Sequence, residues 1–93
     1  MISSNEYFEG KVKSLGFSNE GGKFTAGVMV AGDYEFDTSS VEYMTLVAGA
    51  WDIRLPGSEK FVSYPEGSTF EVAAGEKFQL HVLQDSSYLC RYE

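Results

Sequence analysis

Ninety-three residues leave room for a single compact domain, residues 1–93, built round one core. A 43% hydrophobic share beside 23% charged residues excludes a disordered tail and a collagen-like chain. Fourteen Asp plus Glu against seven Lys plus Arg give a formal net charge of -7. Such a field repels phosphodiester backbones and anionic lipid, so no nucleic-acid polymer and no membrane is expected as a partner.

Hydropathy alternates with a period of two residues along most of the chain, and a helical period barely shows. After a turn signal at Asn19-Glu20-Gly21-Gly22, Phe24, Ala26, Val28 and Val30 point one way and Thr25, Gly27 and Met29 the other. Ala31-Gly32-Asp33 marks the next turn. Ser39-Ser40-Val41-Glu42 matches a helix capping box, but Val41, Thr45 and Val47 are weak helix formers and Gly49 follows closely, so the segment is predicted as strand. Met44, Leu46 and Ala48 then alternate with Thr45 and Val47, and Trp51, Ile53 and Leu55 alternate with Asp52 and Arg54. Pro56-Gly57-Ser58, Pro65-Glu66-Gly67 and Ala73-Ala74-Gly75 supply turn chemistry before Phe78, Leu80 and Val82. Asp85-Ser86-Ser87 reads as a last turn, and Tyr88, Cys90 and Tyr92 close the chain as a strand. Many short strands with close punctuation predict an all-β barrel or sandwich.

No run reaches the roughly 18 apolar residues of a membrane-spanning helix. Met1-Ile2-Ser3-Ser4-Asn5-Glu6 lacks the basic start and apolar run of a signal peptide. The single cysteine, Cys90, has no partner for an internal disulfide, so a reducing cytoplasm is the expected location.

Motifs that carry chemistry are sparse. His81 is the one histidine, and it lies on the polar phase of its strand as a surface residue beside Gln79. One His and one Cys cannot supply a usual transition-metal site, and the acids show no EF-hand spacing, so no metal is expected. Cys90 shares the phase of Tyr88 and Tyr92, which predicts a buried thiol packing as a small hydrophobe. Aromatic residues make up 15% of the chain, enough to fill a small core and leave some to stack on a ring-shaped ligand.

Asn5-Glu6-Tyr7-Phe8-Glu9-Gly10-Lys11-Val12-Lys13-Ser14-Leu15-Gly16-Phe17, Gly27-Val28-Met29-Val30, Glu42-x-Met44-Thr45 before Gly49, Leu55-Pro56, Gly67 with Phe70, and Tyr88-Leu89-Cys90-Arg91-Tyr92 carry a resemblance. Together, in order and nearly end to end, they resemble the pyrimidine/purine nucleoside phosphorylases, a family of very small cupins. The resemblance implies a cupin-type (double-stranded β-helix) barrel of short antiparallel strands. Glu42 and Gly49 fit the acid and glycine of the first cupin motif, and Pro65-Glu66-Gly67 fits the second. The histidine places of those motifs hold Phe36 and Thr38 (or Glu35 and Asp37) and Phe70, so the cupin turns are kept without the three imidazoles that bind metal.

The resemblance further implies phosphorolysis. A nucleoside plus inorganic phosphate gives free base and ribose 1-phosphate, with phosphate as co-substrate and no cofactor, in a pentosyltransferase that forms a homodimer. Breaking an N-glycosidic bond builds positive charge on the ribose, which a carboxylate stabilises. Glu42 is the candidate, because the matching cupin acid points into the barrel. Phe36, Thr38, Met44, Phe70, Tyr88 and Tyr92 are the expected nucleoside contacts, since any base offers a π-face. Lys11, Lys13 and Arg91 are the expected phosphate contacts. Arg91 and Arg54 nevertheless alternate out of phase with the apolar sets, and Lys11 and Lys13 oppose Val12. A non-catalytic cupin that senses a nucleoside or sugar is the alternative.

Overall fold

The computed structural model describes all 93 residues, as eight antiparallel strands and one 3-10 turn. The elements are β1 (Ser3–Tyr7), the 3-10 turn Phe8–Gly10, β2 (Val12–Asn19), β3 (Gly22–Met29), β4 (Gly32–Asp37), β5 (Glu42–Arg54), β6 (Val62–Tyr64), β7 (Thr69–Val72) and β8 (Lys77–Tyr92). The region after the Ser39-Ser40 pair is strand, as its β-branched residues predict.

Two long strands organise the barrel. The first half of β8 lies between β4 and the second half of β5, and its second half lies between β3 and the first half of β5. One layer therefore runs β1-β2-β3-β8-β5-β7, the other β4-β8-β5-β6, with β5 and β8 common to both. The two strands bend together where their register shifts between Leu46 and Trp51. Gly49 makes this bend possible. Its φ is 122°, and the Ser86 hydroxymethyl fills the space that a Cβ there would need. The bulge also resets the pleat, so that Met44 and Leu46 face inward before it, and Trp51 and Ile53 after it.

Two features differ from the sequence reading. Met44–Ala48 and Trp51–Arg54 belong to one bent strand, and Asp85-Ser86-Ser87 lies within β8. Neighbours on both sides give this stretch its ladder, which overrides the local turn preference of Asp and Ser; Ser86 turns inward, and its hydroxyl donates to the Gln84 carbonyl at 2.7 Å. In β3 the inward set is Thr25, Gly27 and Met29, which leaves Val28 exposed on the outer face.

The core gathers where the two layers face each other. Val12, Met29, Leu46, Trp51, Ile53, Val72, Phe78 and Leu80 are almost fully buried. Phe8 folds over one end through the left-handed Phe8–Gly10 turn and rests on Tyr34 and Phe36, at ring centroid separations of 5.1 and 5.5 Å.

Candidate active site

Directly paired residues of antiparallel strands share a face, so the register fixes which side chains line the concave surface. At the mouth, one row crosses the sheet as Ser18, Lys23, Tyr92 and Glu42 on β2, β3, β8 and β5. The next row is Ser3, Gly16, Thr25, Cys90 and Met44, and the third is Asn5, Ser14, Gly27, Tyr88 and Leu46. Gly27 is a packing requirement, because a Cβ there would run into the Tyr88 ring. Without it the tyrosine could not lie along the floor.

These rows enclose a hollow of about 250 Å³ lined by Tyr7, Ser14, Phe36, Asp37, Ser39, Glu42, Met44, Phe78, Tyr88, Cys90 and Tyr92. Glu42 is half-buried at its edge, and burial raises its pKa above the usual carboxylate range. The Cys90 thiol donates to Glu42 Oε1 at 3.5 Å, which partly offsets that rise. Burial first, and then the nearby Glu42 charge, push the thiol itself up to about 12, so Cys90 is present as S–H. Burial likewise raises Tyr88 to about 12 and raises Tyr92, whose hydroxyl lies 3.1 Å from Thr25 Oγ1. Glu42 thus sits beside neutral aromatic and thiol groups, with a second carboxylate, Asp37, also in the lining. That arrangement favours a cationic carbon and tolerates a flat ring beside it.

Five of the residues expected as ligand contacts or catalyst line this hollow, namely Phe36, Glu42, Met44, Tyr88 and Tyr92. Thr38 and Phe70 do not. Thr38 is buried where it holds a turn, its hydroxyl donating to the Ala73 carbonyl at 2.6 Å and accepting from the Glu76 N–H at 3.0 Å. Phe70 is core, packed on Trp51, Tyr64 and Phe78. The three expected phosphate contacts lie outside as well. Lys11 is exposed, Lys13 pairs with Glu6 at 3.4 Å on the outer face, and Arg91 lies over the Tyr43 ring at 4.5 Å and reaches Glu93 at 3.3 Å. Their phase opposes the concave set, and ordinary surface pairs satisfy the latter two. His81 is also on the outer face, with Nδ1 2.6 Å from Asp33 Oδ1 and its ring stacked on Phe61.

The sequence reading missed Lys23. It lines a second, more open hollow of about 430 Å³ that shares Tyr7 and Tyr92 with the first. The signal was its two-residue spacing from Thr25, Gly27 and Met29, the set that turns inward.

The cupin positions that would carry metal-binding imidazoles do not fit a metal here. Phe70 is packed in the core, Thr38 is committed to its turn, and no three His, Cys, Asp or Glu side chains are placed to hold one metal ion together. The donor set matches neither zinc nor iron.

Residues 2–92 match the profile of the pyrimidine/purine nucleoside phosphorylase family. The chain belongs to this family. A Pseudomonas aeruginosa (strain LESB58) protein named pyrimidine/purine nucleoside phosphorylase is 53% identical over 92 residues, 99% of each chain. The crystal structure of a Vibrio parahaemolyticus protein of unknown function superposes with a TM-score of 0.95 at 40% identity, covering 100% of this chain and 99% of the other. A cupin superfamily protein from Desulfitobacterium hafniense shares the fold, with a TM-score of 0.72 at 10% identity over 97% of this chain and 81% of its own. The fold is that of a cupin, and in this chain Glu42 lines its hollow beside Phe36, Tyr88 and Tyr92.

Proposed function

We propose that the Glu42 hollow is the active centre of a pentosyltransferase that phosphorolyses purine and pyrimidine nucleosides without a metal ion. The half-buried carboxylate in an aromatic hollow carries this reading. A phosphate oxygen forms a bond to C1′ of the ribose while the C1′–N bond breaks and its electron pair leaves with the base. The proton of HPO₄²⁻ ends on the base nitrogen, so atoms and charge balance between nucleoside plus phosphate and base plus ribose 1-phosphate. Ionised Glu42 lies against the ribose, accepts hydrogen bonds from its hydroxyls and stabilises the positive charge that builds on it. Phe36 and Tyr88 contact the base through their faces, which suits both base classes, and Tyr92 lies beneath the ribose.

The enzyme acts in the cytoplasm, in keeping with one neutral, buried thiol and no disulfide. It forms a homodimer through the outer face of the larger layer. Leu15, Val28 and Val47 are each more than half exposed there and surround an apolar depression with Ala26 and Leu89, an unusual surface for a chain of net charge -7.

Incubation with uridine or adenosine, with and without phosphate, tests the reaction. Base and ribose 1-phosphate should appear together and only with phosphate. Release that ignores phosphate would mean a hydrolase, and tight binding with no release would mean a sensor.

A further inference from the structure

We propose that phosphate binds in the second hollow, on Lys23, next to the Glu42 hollow and across Tyr92 from it. The inference rests on the phosphorolytic reading above and deepens it. Phosphate requires a cation, several neutral hydrogen-bond donors and distance from carboxylates. The second hollow meets all three. Lys23 lines it and pairs with no carboxylate. Ser3, Asn5, Ser18 and Thr25 bring hydroxyl or amide groups to the same wall. Not one of the chain's fourteen acids lines it, although the protein as a whole repels anions. Lys13, which lines the depression on the opposite face of the sheet, is paired there with Glu6.

The register also places this basin correctly for the chemistry. Tyr92 pairs with Lys23 on one side and with Glu42 on the other, so the cation and the carboxylate stand two strand spacings apart, about 10 Å between backbones. The Lys23 ammonium lies 5.9 Å from the centre of the Tyr92 ring, which forms the border between the hollows. A ribose lying over Tyr92 with its ring against Glu42 would turn one face of C1′ toward Lys23. Phosphate would then approach from the β3 side and the base would depart toward Phe36 on β4. Keeping phosphate and carboxylate on opposite sides of Tyr92 also limits repulsion between the two anions.

Lys23 is exposed, so its replacement leaves the core intact. Titration with inorganic phosphate, followed by ³¹P line broadening, and steady-state kinetics would be compared for wild type, Lys23→Met, Lys23→Arg and a Lys60→Met control. Lys23→Met should weaken phosphate binding and raise the phosphate KM by about tenfold or more, the scale of one charge-assisted contact, with nucleoside KM within about twofold. Lys23→Arg should keep most of the affinity, and Lys60→Met should match wild type. Equal phosphate binding by wild type and Lys23→Met, or none by wild type, overturns the assignment. Should wild type bind phosphate through Lys23 yet release no base, the phosphorolytic reading fails while the anion site stands.

Discussion

Glu42 is costly where it stands, and the cost has two measurable sides. Burial makes its charged form less favourable, so its pKa in the folded chain lies above that of an unfolded glutamate, about 4.3. A group raised in this way contributes stability below the unfolded value and loses it as pH rises through the folded value. Glu42→Gln removes the charge and keeps the shape. At neutral pH the variant should therefore melt no lower than wild type, as thermal unfolding followed by circular dichroism would show, while its kcat falls by about a hundredfold or more. Turnover needs the ionised form, so the acid limb of the wild-type profile of kcat/KM against pH should lie above the ordinary glutamate range and vanish in the variant. Cys90 behaves in the opposite manner, as a group kept inert. With its thiol pushed up to about 12 and its side chain buried, it should resist a thiol-specific disulfide reagent in the native state and react with one equivalent in denaturant. At this scale the sequence was informative about Cys90, whose inward phase follows from strand alternation, while Glu42 was singled out by the cupin resemblance. It was not informative about Thr38 or Phe70, whose partners Ala73, Trp51 and Phe78 come from other strands.

Strand β3 shows why alternation identifies an element and yet fails to say which face is inside. Ala26 and Val28 look like a core-facing set beside Thr25 and Gly27, but the concave face is the polar one at the mouth because it lines the site. Lys23 was hidden by that inversion. The bent pair β5 and β8 posed a different difficulty. Gly49 interrupts the pattern of β5 and resets its parity, so one strand reads as two. Asp85-Ser86-Ser87 carries turn residues, yet ladder bonds from both neighbours hold it extended. The bend makes a sharp prediction. Gly49→Ala would place a methyl group against Ser86 at a φ of 122°, and the melting temperature should fall by more than about 8 °C. An unchanged melting temperature would show that the bend does not depend on this glycine.

Across the whole molecule, negative charge and apolar surface are distributed with a purpose. The chain carries a net charge of -7, the second hollow is free of acids, and an apolar depression lies on the outer face of the larger layer. A homodimer through that face should run at twice the chain mass in sedimentation equilibrium. Val28→Glu, which adds a charge to the exposed lining of the patch without touching the core, should shift it toward monomer. The fold class was legible from turn spacing and two-residue alternation, and the family from matches dispersed along the chain. The position of the anion site was not, because it depends on register between strands far apart in sequence, Lys23 with Tyr92 and Tyr92 with Glu42. A crystal structure with ribose 1-phosphate bound examines the central claim most directly. The sugar should lie over Tyr92 with its hydroxyls within hydrogen-bond distance of the Glu42 carboxylate; a sugar seated elsewhere, with Glu42 untouched, would contradict the account.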